Sequence, residues 1–108
     1  MKDIIEIDGV KYKRLELINT RAEALLYGLR LWQELNDEPV DWGNMYKRKW
    51  SIDYNSLAGM IVSTWTVMYQ KLGEIYFSSQ EKAEEAIETF HDELLWYFTK
   101  YQRIDKEA

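Results

Sequence analysis

Hydrophobic patterning in this 108-residue chain predicts one α+β domain spanning 1–108. Its expected parts are an N-terminal β-hairpin, a helix, a three-stranded antiparallel meander and a long C-terminal amphipathic helix packed on the sheet. Three observations carry this. Asp8-Gly9 separates two extended runs, IIEI and VKYKRLEL. Residues 47–54 alternate, with Trp50, Ile52 and Tyr54 on one side and Lys49, Ser51 and Asp53 on the other. Ala83, Ile87, Phe90, Leu94, Tyr97 and Tyr101 recur at helical steps.

Asp-Gly suits a two-residue hairpin turn, because both central positions need positive φ. Strands are expected at about 3–7 and 10–17. Lys11, Lys13 and Arg14 suit an edge that must not recruit neighbours. Thr20 with Glu23 fits a capping box, and Ala22, Leu25, Leu29 and Trp32 keep helical spacing, so a helix is expected over about 21–36. Gly28 inside it suggests a close approach by another backbone. Asn36 to Asn44 holds the single proline and reads as a loop. Strands then follow at 47–54, 60–69 and 74–77, the middle one rich in β-branched and aromatic residues. Ser78 and Glu81 form a second capping box, opening a helix over about 79–101.

Composition narrows the chemistry. The net charge of −5 disfavours direct binding to nucleic acid or to an anionic membrane. There is no cysteine, so disulfides, thiolate metal sites and cysteine nucleophiles are out, and a single histidine, His91, would have to anchor any triad. No phosphate-loop or dinucleotide motif is present. The first residues lack the apolar core of a signal peptide, and no apolar run is long enough for a membrane span. The expectation is therefore a non-enzymatic cytoplasmic protein with no cofactor and no catalytic or metal-ligating residues.

Two surfaces stand out as candidate contacts. Glu81, Glu85, Glu88 and Asp92 share one stripe of the last helix, with Glu84 alongside. Eleven residues at a helical rise span roughly 16 Å, a pitch at which carboxylates imitate a phosphate backbone. The same acids also suit a solvated face that complements the helix dipole. The second surface is aromatic. Leu95, Trp96 and Phe98 spread around the helix beyond its core stripe, and with Trp32 they form a candidate partner or oligomer interface, a homodimer being expected. Packing under the N-terminal elements is the competing account. Weaker candidates are His91 with Glu88 and Asp92 as cation ligands, Ser78 and Ser79 as an anion site, and the basic-aromatic run MYKRKW at 45–50 as a nucleic-acid patch.

KWSIDYN followed by GEIYFSSQEKAEEAIETF resembles a recurrent pattern in small proteins of bacteriophages and prophages of Gram-positive bacteria. There an aromatic strand leads to G-x-[IV]-Y-F-x-[ST]-x-E-x-A-x-x-A-[IV]. The matching residues are Gly73, Ile75, Tyr76, Phe77, Ser79, Glu81, Ala83, Ala86 and Ile87. IEIDGVKYK is similar to the opening hairpin of those proteins, whereas the helix at 21–36 departs from them. The resemblance covers about half the chain and brings no catalytic residues. It implies a small acidic accessory protein that binds a host protein in the host cytoplasm, such as a defence nuclease. It leaves open a nucleotide-sequestering role with a pocket at an oligomer interface, or a structural part of the virion.

Overall fold

The structure, a computed structural model, describes residues 4–7 and 10–101, with side chains from Asn19 onward. Strands β1 (Ile4–Ile7) and β2 (Val10–Lys13) pair antiparallel, with Ile7 opposite Val10. The Asp8-Gly9 turn, the Lys11 and Lys13 side chains and the tail RIDKEA lie outside the described residues. Helix α1 (Arg14–Asn36) follows β2 directly. It starts a full two turns before the expected 21. No glycine or proline stands between Lys13 and Gly28 to halt it. Thr20 and Glu23 are therefore interior helix positions, not a cap.

After a loop come β3 (Lys49–Asn55) and β4 (Met60–Thr66), joined by a tight turn in which Gly59 adopts φ 67°. They pair antiparallel with Trp50 opposite Trp65 and Tyr54 opposite Ile61. The expected three-stranded meander is not formed: this sheet has two strands. Of the segment at 74–77 only Phe77 joins it, exchanging backbone hydrogen bonds with Trp50 of 3.0 and 2.7 Å. The reason is local. The Tyr76 hydroxyl accepts from the Lys71 amide and directs its one proton between the Glu74 carboxylate and the Tyr69 carbonyl, at 3.2 and 3.4 Å. Gly73, at φ 78°, completes the turn. That knot bends residues 69–75 away from β3.

The long C-terminal helix is likewise absent. It is replaced by α2 (Gln80–Thr89), α3 (His91–Trp96) and a closing π-helical turn, Tyr97–Tyr101. Phe90 breaks the run at φ −108°, ψ 21°. Next to that break Thr89 Oγ1 donates back to the Glu85 carbonyl, and in the π turn Thr99 Oγ1 donates to Leu95. Threonine back-bonding of this kind bends helices. The periodic face survives the break. Ala83 and Leu94 are buried, and Ile87, Phe90 and Tyr97 pack on the same core.

That core joins Leu25 and Leu29 of α1 to Phe77, Ala83, Ala86 and Leu94. Phe77 is fully buried, and Trp32 meets its ring edge-on at 6.0 Å. Gly28 faces an aromatic ring and not another backbone: a Cβ there would stand 3.3 Å from Phe90 Cε1. The N-cap of α2 is Ser79, whose Oγ accepts from the Lys82 amide. Ser78 serves elsewhere. Its amide and hydroxyl both donate to the carboxylate of Asp37, just past the end of α1. That carboxylate holds the C-terminal end of α1 against the start of α2.

Asp37→Ala removes the acceptor for the half-buried Ser78 amide and should cost about 1–3 kcal/mol. Ser78→Ala, which keeps the amide bond to Asp37, should cost less. The urea midpoint at constant slope reads both, and equal losses would contradict this assignment.

Candidate functional site

The acidic stripe divides at Phe90. Glu81, Glu84, Glu85 and Glu88 lie on α2, and Asp92 lies on α3. Glu81, Glu84 and Glu88 are exposed, and none makes an ion pair among the described residues. Glu85 is half-buried and meets Lys82 at 3.3 Å. Asp92 contacts only the His91 ring, at 3.4 Å. Among the described residues no three histidine or carboxylate groups converge to hold a metal ion, so His91, Asp92 and Glu88 do not form the weighed cation site.

The aromatic candidates fall into different environments. Trp32 is half-buried and packs on the core, edge-on to Phe77. Phe98 stacks on Tyr54 with centroids 5.5 Å apart and also packs on the core. Trp96 is half-buried beneath the Arg21 guanidinium, 4.1 Å from its ring centroid. Leu95 alone of the four is exposed. Among the described side chains, α1 presents an apolar surface of Tyr27, Leu31 and Leu35, spaced four apart on the side away from Leu25 and Leu29.

Arg21 joins α1 to α3 through paired hydrogen bonds to Glu93, at 2.8 and 2.9 Å. The side-chain hydrogen bonds from Arg21 hold the Glu93 carboxyl below its ordinary range, and the same pair raises the Arg21 value. Both side chains are nearly half exposed, so solvent screens the pair. The pair therefore positions Trp96 more than it stabilises the fold.

The MYKRKW run does not present a basic patch. Lys49 opens β3 and is 1 % exposed. Its Nζ donates to the carbonyls of Asn44 (2.5 Å) and Val67 (2.6 Å), 5.4 Å from the centroid of Trp42. Arg48 covers Trp65 at 4.2 Å. The charge turned inward pins the 41–48 loop to the sheet; sequence alternation predicts its side of the strand but not the loop that covers it.

Two clefts flank residues 74–75. One, of about 290 Å³, is lined by Arg30, Gln33, Glu34, Trp42, Glu74 and Tyr76 among others. Its lining includes the edge-on pair Trp42–Tyr76, 4.8 Å apart, and burial pushes the Tyr76 hydroxyl pKa up. The other, of about 260 Å³, is apolar and opens where 73–75 leave β3, over Leu29, Ile52 and Tyr97. Among the described residues no helix is long and apolar enough to cross a membrane.

Two outcomes follow. Glu93 has a lowered folded pKa, so its contribution is present above the unfolded carboxyl value and is lost as pH falls through the folded one. Glu93→Gln should therefore flatten the acid limb of the stability profile below about pH 4.5, with an effect under about 1 kcal/mol at neutral pH. Lys49→Ala should lose about 2–4 kcal/mol by thermal or urea unfolding, and more than Lys49→Met, which keeps the apolar stem.

Comparison with protein families, with curated proteins and with solved structures gives no match.

Proposed function

We propose that this protein acts by binding and not by catalysis, as a phage or prophage accessory protein that presents the carboxylates of α2 to a basic surface of a host protein. The observation that carries this reading is the state of Glu81, Glu84 and Glu88. They are exposed on one regular helix, without a countercharge among the described residues. Acids that only solvate a surface are commonly interleaved with lysine or arginine; here only Glu85 is so matched. From Glu81 to Glu88 the row spans roughly 10 Å of helix. Its field steers a basic partner over a distance set by the salt concentration. A nuclease whose groove accepts a phosphate backbone has the complementary chemistry, and inhibition of such a defence enzyme in the host cytoplasm is the role proposed. No direct contact with nucleic acid is part of it.

A second reading, nucleotide sequestration, is favoured by the 290 Å³ cleft lined by Arg30 and an aromatic pair. Glu34 and Glu74 line the same cleft and repel phosphate, so this reading ranks behind the first. A structural role in the virion predicts higher-order oligomers.

Capture of partners from host lysate with the tagged protein tests the leading reading. The wild-type chain should enrich a nucleic-acid-handling protein, and Glu81→Lys/Glu84→Lys/Glu88→Lys should lose it at an unchanged unfolding midpoint. Equal capture by the triple variant sinks the acidic-face reading. A nucleotide recovered on denaturation, with no protein partner, would move the assignment to the cleft.

A further inference from the structure

The hydrogen bonding of β3 fixes which way every backbone group of β4 points. Trp50 directs its amide and carbonyl at Phe77, away from β4. Antiparallel ladders alternate, so Lys49, Ser51, Asp53 and Asn55 face β4. Their partners Thr66, Thr64, Val62 and Met60 face back. Ile61, Ser63 and Trp65 therefore aim their amides and carbonyls outward. Among the described residues nothing pairs with that edge.

Open edges of this length are normally blunted by charge, proline, a bulge or a covering element. This one has none of the sequence devices. Residues 60–70, MIVSTWTVMYQ, contain no charged residue, no proline and no glycine. The register of β4 with β3 runs unbroken from Met60 to Thr66, without a bulge. Met60 and Trp65 are 58 % and 50 % exposed.

We propose that this edge is the seam of a symmetric homodimer, β4 pairing antiparallel with β4 of a second copy about a two-fold axis at Ser63. The strand is self-complementary in that register. Ser63 falls opposite Ser63, and Ile61 opposite Trp65 in both directions. All three outward-facing residues then form hydrogen-bonded pairs, each exchanging two bonds. Ile61 against Trp65 is a β-branched–aromatic cross-strand pair, a favourable kind. The product is one four-stranded sheet in the order β3-β4-β4-β3.

A second copy suits this edge, because residues 60–70 carry no charge and no like charges meet along the seam.

Sedimentation equilibrium and cysteine cross-linking of the full chain test the seam. The wild-type protein should run at twice the 13.0 kDa chain mass. Ser63→Pro removes an amide that faces only the second copy, and should weaken association by at least about tenfold with an unchanged circular dichroism spectrum. The chain has no cysteine of its own, so Ser63→Cys introduces a single thiol opposite itself. A Cα separation of about 5.5 Å lies within disulfide reach. Mild oxidation should convert Ser63→Cys to a covalent dimer far faster than Ser56→Cys, placed in the β3–β4 turn. Ser63→Cys decides the matter if Ser63→Pro fails to fold. A wild-type monomer at its highest soluble concentration overturns the proposal. So does a dimer in which the two cysteine variants cross-link equally, which would move the contact to the Tyr27–Leu31–Leu35 face of α1 or to another edge.

Discussion

Three consecutive residues, Phe77 to Ser79, hold the architecture together. Phe77 enters the sheet by its backbone at Trp50 and fills the core with its ring. Ser78 binds the Asp37 carboxylate past the end of α1. Ser79 caps α2. Sheet, first helix and second helix thus meet within about 10 Å of extended chain. The apolar cluster supplies the bulk of the driving force, but these directional contacts decide which faces meet.

The surface divides into two characters. One is the acidic outer side of α2, carried on a short regular helix whose inner side is anchored by Ala83 and Ala86. Small alanines let α2 lie close to the sheet and to α1, which brings the carboxylates onto a rigid platform. The other is the open edge of β4, whose own residues carry no charge. Charge attracts from a distance and specifies a partner, whereas an uncharged edge acts only on contact.

Much of the local structure was legible in the residues. Asp8-Gly9 marked the hairpin, alternation marked β3, and the four-and-three spacing from Ala83 to Tyr97 identified the buried face. What was lost concerned long-range competition. Ser78 reads as a cap because S-x-x-E is a local pattern; that Asp37, 41 residues away, takes its donors is invisible to spacing. Glu74 to Phe77 reads as a strand by composition, yet the Tyr76 hydroxyl closes a loop that peels it from β3. Trp32 keeps the core spacing of its helix and also reads as a candidate contact; its half-buried ring packs on Phe77. At the candidate site, the acids were legible as a stripe, but their lack of countercharge and the break at Phe90 required coordinates.

Lys49 has a consequence of a different kind. Its ammonium is spent on two carbonyls and shut beneath residues 41–48. Amine-directed reagents and lysine-modifying enzymes need a free, reachable nitrogen, which this one supplies only when the loop lifts away. Its acylation is therefore gated by a local opening, and the rate of that reaction measures how often the segment detaches without unfolding the whole chain. With no thiol present to compete for the reagent, this buried amine becomes a clock for the breathing of the sheet.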